Sequence, residues 1–136
     1  MTNIFYPADY KFGTAEEDRI TPLLNDFFKR EIKRSEDKFA KHDFYDDEYT
    51  YEVKSRTNTY NKYPTTMITQ DKIFKHPNKK LILLFNFTDG LYYIEYDEEK
   101  FKTYESKMFS RAKLSWNEKP HVYIPIEHLT LLHRPQ

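Results

Sequence analysis

The stretch HDFYDDEYTYEVKSR, residues 42–56, decides how the chain is read. It holds five carboxylates (Asp43, Asp46, Asp47, Glu48 and Glu52), followed by Lys54 and Arg56. Aromatic and β-branched residues flank Asp46-Asp47-Glu48, which marks that triplet as a turn between two strands, 38–45 and 49–56. A tight two-residue turn at Asp47-Glu48 sets 46 against 49, 45 against 50, 44 against 51 and 43 against 52. Asp43 and Glu52 then share one face, with Cβ atoms roughly 5 Å apart. The period of two puts Lys54 on that face as well and sends Phe44, Tyr51 and Val53 to the core. Two carboxylates this close repel unless a proton or a cation sits between them. An oxygen-liganded divalent ion is the natural resolution, and the Lys54 ammonium can hold a water or offset charge developing on a phosphate. Asp46, Asp47 and Glu48 read as a solvated turn. Asp46 or Asp47 becomes the second ligand only if the turn differs.

Outward from this hairpin, GTAEEDRITPLLNDFFKREIKR (13–34) reads as a helix, with Ile20, Leu23, Leu24, Phe27 and Ile32 at helical spacing. Thr21-Pro22 looks like an N-cap followed by a first-turn proline, so a kink or a restart is expected there. Residues 66–75 suggest a second, shorter helix. KKLILLFNF (79–87) is a continuous apolar run, as in a central strand covered on both faces. TDG then turns into a hairpin with residues 91–96, HVYIPI (121–126) reads as a last strand, and IEHLTLL as a short helical or extended cap. The order predicts a mixed α/β domain with a sheet at its centre.

With 136 residues the chain is expected to be one domain. Only 38% of residues are hydrophobic, but 18% are aromatic, and those rings supply the core area that argues against disorder. No segment is apolar enough for a membrane span, and the start lacks the character of a signal peptide. The absence of Cys removes thiolate metal sites and disulfides, and an intracellular location, cytoplasmic or nuclear, is expected. The five His residues show no zinc-ligand spacing, and His42 reads as structural. P-loop, GxGxxG and GxSxG motifs are missing. The net charge is zero, yet residues 1–53 carry 13 acids against 8 bases, while residues 54–80 carry 1 against 7. An acidic hairpin beside a basic block interleaved with Tyr60 and Tyr63 suits a metal-dependent phosphodiester site.

Asp43…Glu52-Val53-Lys54 resembles the active-site signature of the PD-(D/E)XK nuclease superfamily, which includes restriction endonucleases and Holliday junction resolvases. The upstream helix is similar to that of resolvase-like members, in which a glutamate follows a glycine by four residues; here Gly13 precedes Glu17, with Ile20, Leu23 and Leu24 beyond. Glu16 is its rival, since spacing alone does not separate the two. The segment after EVKSR, TYNKYPTTMITQDKI, also resembles nuclease-like proteins of phages and large DNA viruses. His42 stands where the family often has proline. The resemblance spans roughly residues 12–96 and leaves 97–136 as a C-terminal extension.

The resemblance implies a restriction-endonuclease-like core in αβββαβ order, with a central mixed sheet flanked by helices. It implies a Mg²⁺-dependent endonuclease, with Mn²⁺ as substitute, that hydrolyses DNA and leaves 5′-phosphate and 3′-hydroxyl ends. Asp43, Glu52 and the Val53 carbonyl would hold the metal, Glu17 would assist, and Lys54 would position the attacking water. Arg56, Lys62, Lys72 and Lys75 are candidate phosphate contacts, Tyr60 and Tyr63 candidate stacking residues, and Gln70 a further contact. A homodimer acting on branched or junction DNA in recombination or repair is expected. The alternative is a non-catalytic nucleic-acid-binding or assembly protein that retains the fold.

Overall fold

The computed structural model describes residues 7–35, 42–73, 78–109 and 119–135, of which 7–14 as backbone only. The hairpin forms in the register that a turn at Asp47-Glu48 dictates. In β2 (Phe44–Tyr45) and β3 (Tyr49–Ser55), Phe44 faces Tyr51 and Tyr45 faces Thr50. Asp46 builds the turn. Its carboxylate accepts hydrogen bonds from the N–H groups of Glu48 (2.8 Å) and Tyr49 (2.7 Å), from the Tyr51 hydroxyl and from Arg30 Nε (2.7 Å). Asp46 is 6% exposed, so the expected solvated turn is corrected to one wound around a buried carboxylate, while Asp47 and Glu48 do face solvent. Of the expected strand 38–45, residues 38–41 lie outside the described residues. A short β1 (Lys33–Arg34) pairs with the outer side of β2.

The apolar run forms β5 (Lys80–Phe87), parallel to β3, with Glu52 level with Leu83 and Lys54 with Phe85. A two-residue turn at Thr88-Asp89 leads into β6 (Gly90–Glu95), and β9 (Thr130–His133) pairs beyond it. The sheet order is β1-β2-β3-β5-β6-β9. Along β5 the side chains alternate between two cores, which is why every residue from Leu81 to Phe87 is buried. Ile82 and Leu84 join Phe44, Tyr51, Val53, Ile20 and Leu24 under helix α1 (Pro7–Phe28). Leu81, Leu83, Phe85 and Phe87 pack on the other face against Ile68, Val122 and Ile124 of a second sheet. That sheet runs β4-β8-β7, from β4 (Thr65–Thr69), β7 (Glu105–Phe109) and β8 (Lys119–Pro125).

Two expectations are corrected. First, α1 ends at Phe28 rather than Arg34, because Lys29 takes the left-handed conformation (φ 55°) that closes a helix. Ile32 is buried from the following connection, its N–H held by Asn25 Oδ1 at 2.7 Å, and Phe27 is 40% exposed. The helix also begins earlier, at Pro7, and passes through Pro22 without a restart, with the Thr21 hydroxyl donating to the Glu17 carbonyl at 2.7 Å. Second, residues 66–73 of the expected helix 66–75 are not an α-helix, and residues 74–75 lie outside the described residues. Thr65–Thr69 is a strand with Thr66 and Ile68 turned inward, followed by a 3₁₀ turn at Gln70–Ile73. The expected αβββαβ order therefore loses its second helix, because β-branched residues there pair with β8 instead. The expected last strand, 121–126, is found as β8 beside β4, and the expected short helical or extended cap as a 3₁₀ turn at Ile126–His128 followed by β9 beside β6, with a short helix α2 (Glu98–Phe101) capped by Asp97. The result is a mixed α/β architecture, mostly sheet. No helix among the described residues is long and apolar enough to cross a membrane.

Candidate active site

Parallel pairing fixes where β3 sends its side chains. Tyr51 and Val53 belong to the core under α1, so Glu52 and Lys54 lie on the opposite face, level with Leu83 and Phe85. The 3₁₀ turn after β4 delivers Lys72 to the same place. Lys54 Nζ stands 3.5 Å and Lys72 Nζ 3.8 Å from Glu52 Oε2. The other oxygen, Oε1, is buried and has no hydrogen-bond partner among the described residues, and the residue is only 3% exposed. Burial pushes the Glu52 carboxyl up to about 7, and the nearby Asp43 charge adds to the rise, while the two ammonium groups pull the other way. A carboxylate with an orphaned buried oxygen is incomplete: it wants a proton or a cation.

Asp43 lies just before β2, at the position opposite Glu52. Its N–H donates to the Tyr51 carbonyl at 2.9 Å, and its Oδ2 accepts from the Val53 N–H at 2.8 Å. In an extended strand the N–H and C=O of one residue leave on the same side. The Val53 carbonyl is thereby directed to the edge of β3 where Asp43 sits. Neighbouring residues use the other side, as when the Arg56 N–H donates to the Asn86 carbonyl of β5 at 2.8 Å. His42 is buried, with Nε2 3.2 Å from the Lys72 carbonyl.

The helix acids separate cleanly. Glu17 is half-buried on the side of Asp43. Burial raises its carboxyl above the usual range and the Asp43 charge raises it further, against the opposing pull of Arg34, which binds Oε1 at 3.0 Å. Glu16 faces elsewhere, holding Arg19 (2.9 Å) and the Asn86 side chain (2.7 Å). Its carboxyl is lowered chiefly by the Arg19 hydrogen bond. Glu17 is thus the helix acid near the hairpin pair, although its carboxylate is turned to Arg34. Among the described residues no three His, Asp or Glu side chains gather into a ready metal-ligand group.

The other expected residues scatter along one route. Arg56 donates to the Met67 carbonyl and lies against the Phe85 ring, 5.8 Å from its centroid. It lines two cavities, of about 430 Å³ and about 360 Å³. Tyr60 is stacked on Tyr92 (centroids 4.0 Å apart, 7° between planes) and donates to the Ile126 carbonyl at 2.7 Å, so it braces the loop. Tyr63 is 54% exposed beneath the Lys62 ammonium, 5.6 Å from the ring centroid. Gln70 is exposed on the 3₁₀ turn, and Lys75 lies outside the described residues. Lys72, a candidate phosphate contact, stands at Glu52. Asn86 was missed: it is buried near the end of β5 and joins Glu16, Arg19 and Ser55. Its signal was an amide inside an otherwise apolar run, which is seldom buried without partners to satisfy. Arg34, which ties Glu17 and Asp18 to the strand side, carried no local signal.

No known family, curated protein or solved structure matches the chain.

The donor chemistry at this edge fits a hard divalent cation. Two carboxylates and a main-chain carbonyl are oxygen ligands, and Mg²⁺ is commonly held by one or two carboxylates with waters and substrate phosphate completing its shell. The unpartnered Glu52 Oε1 is the observation on which that fit stands.

Proposed function

We propose that the protein is a metal-dependent nuclease that hydrolyses DNA phosphodiester bonds at the Asp43–Glu52–Lys54 edge of β3. The observation that carries this reading is the buried Glu52 carboxylate, with one oxygen unpartnered and the other facing Lys54 and Lys72. Asp43, Glu52 and the Val53 carbonyl would hold Mg²⁺, and Glu17 of α1 would assist. When bound there, the ion supplies a more acidic water and polarises the phosphodiester. Lys54 orients the attacking water, and Lys54 with Lys72 offsets the negative charge that grows on the phosphoryl oxygens. Water adds to phosphorus, the 3′ oxygen leaves and takes a proton, and the ends are a 5′-phosphate and a 3′-hydroxyl. Arg56 and Lys62 continue the positive row along the backbone. The restriction-endonuclease-like core, the superfamily membership and a homodimeric state belong to the same reading.

The test is cleavage of plasmid, single-stranded and four-way-junction DNA with Mg²⁺, Mn²⁺ or chelator, using wild type, Lys54→Ala and Glu52→Ala. Metal-dependent cutting abolished by both substitutions is expected. Equal cutting by all three proteins sinks the site.

A second reading has one observation in its favour. Lys54 and Lys72 already set two positive charges against Glu52, so the site is partly neutralised without a metal. A nucleic-acid-binding protein that keeps the fold and does not cut would look the same, and would bind DNA without cleavage under every metal condition.

A further inference from the structure

We propose that the cavity of about 430 Å³ beside Arg56 takes one unpaired nucleobase of the substrate strand, so that the substrate is single-stranded or carries an unpaired nucleotide next to the cut. This rests on the nuclease reading of β3 for its orientation, and it names the kind of strand that site would take.

Glu52, Lys54 and Arg56 alternate along β3 on one face, and at about 3.3 Å per residue the row runs roughly 13 Å from Glu52 to Arg56. The far wall of the same route is β4 and its 3₁₀ turn: Met67 receives Arg56 at one end, and Lys72 meets Glu52 at the other. At the Arg56 end the route opens into the cavity, whose walls include Tyr63, Met67, Phe109 and Tyr123, with Asn58 and Thr66 among its polar lining. Flat apolar walls with a few polar groups suit an aromatic ring that carries hydrogen-bonding edges. The volume lies within the usual range for a small-molecule site and is ample for one base.

Charge complementarity selects the occupant. Arg56 lines the cavity and the Lys62 ammonium lies over Tyr63, one of its walls, so a ring entering here has cations beside it for the adjoining phosphates, with Lys54 and Lys72 farther along at Glu52. The Tyr63 ring is exposed and braced by that ammonium, a stacking surface available before any ligand arrives. A base inside a duplex is stacked and paired, and it reaches such a pocket only after leaving the helix, at an energetic cost. An unpaired base enters directly.

The experiment is binding of fluorescein-labelled oligothymidylate, and of a blunt duplex of equal length, to the full chain in chelator, read by anisotropy at fixed salt. The single strand is expected to bind about tenfold more tightly than the duplex. Tyr63→Ala should weaken single-strand binding about tenfold and leave duplex binding unchanged, while Tyr63→Trp keeps it. A 2-aminopurine within the single strand should be quenched by wild type and not by Tyr63→Ala. Equal affinity for the two probes, or no effect of Tyr63→Ala on single-strand binding and quenching, overturns the inference even if the protein cuts DNA. Tyr63-dependent single-strand binding by a protein that never cuts, with Mg²⁺ or Mn²⁺ present, upholds the pocket and removes the nuclease reading instead.

Discussion

Lys72 stands 3.8 Å from the same Glu52 oxygen that Lys54 approaches at 3.5 Å, although Lys72 follows a strand of the second sheet and Lys54 lies on the first. A buried carboxylate between two ammonium groups from separate sheets is a junction, and its chemistry depends on both. In the proposed nuclease, Lys72→Ala should lower the cleavage rate about a hundredfold with most of the loss in kcat, as removal of one preorganised charge typically does. Lys62→Ala, at a contact expected only with backbone phosphate, should raise KM and reduce the salt slope of DNA binding by about one. A Lys72→Ala defect confined to KM would return Lys72 to the class of phosphate contacts.

The Glu52 carboxyl titrates near 7 in the folded chain against an ordinary value of 4.5. The folded protein therefore holds a proton that the unfolded chain has released between those values, and stability falls as pH rises from about 4.5 to about 7. Above that range the full penalty is present. Glu52→Gln, which imitates the protonated form, should raise unfolding free energy in chelator by about 2–3 kcal/mol near pH 8 and by little near pH 4. Urea melts at the two pH values measure this. With Mn²⁺ added, wild type should gain in Tm while Glu52→Gln does not, since a ligand that binds only the native state stabilises it by mass action. A destabilised Glu52→Gln near pH 8 would mean that the carboxylate is satisfied as it stands.

The Asp46 turn makes the opposite pH prediction. Burial works to raise the Asp46 carboxyl, but hydrogen bonds from Arg30, Tyr51 and the Glu48 and Tyr49 N–H groups outweigh it and hold the value at about 2, against 3.8 ordinarily. A depressed folded value stabilises above the ordinary one and loses that contribution as pH falls through the folded one, so about 2 kcal/mol should disappear between about pH 4 and about pH 2. Asp46→Ala removes the contribution at every pH and leaves the Arg30 Nε and the Tyr51 hydroxyl without their acceptor, for a loss of about 3 kcal/mol at neutral pH. Glu48→Ala, an exposed partner of the same Arg30, should change stability by less than about 1 kcal/mol. Chemical denaturation of the two variants across acid pH separates them.

The hairpin was legible because its determinants are local. One turn and one period of two fix the register of Asp43, Phe44, Tyr51, Glu52 and Lys54, and no other element has to be known. The central strand was legible for a related reason, since a run such as LILLF has nowhere to go but between two covered faces. The helix expected over 66–75 failed because the partner of Thr65–Thr69 is β8, from the far end of the chain, and no window of sequence around Ile68 contains His121 to Pro125. Lys72 reaches Glu52 all the same, from a 3₁₀ turn rather than a helix. Glu17 was separated from Glu16 only by what packs against each: Arg34 and Asp43 near one, Arg19 and Asn86 at the other. Asn86 shows the remaining limit, because an amide in an apolar run announces a need for partners without naming them.

Lys29 offers a test of the fold independent of any function. It holds φ 55° immediately after α1, in a region that costs a residue with a Cβ about 1 kcal/mol and glycine almost nothing. Its side chain is 80% exposed and its ion pair with Asp26, at 3.6 Å between exposed groups, contributes little. Lys29→Gly should therefore stabilise the protein by about 0.5–1 kcal/mol, the gain at the helix end exceeding the extra freedom that glycine gives the unfolded chain. Lys29→Ala, which keeps the Cβ and loses the charge, should leave stability within about 0.5 kcal/mol of wild type. A destabilised Lys29→Gly in urea unfolding would mean that α1 does not stop where Phe28 stops it, and the early end that frees Ile32 for the core would need another cause.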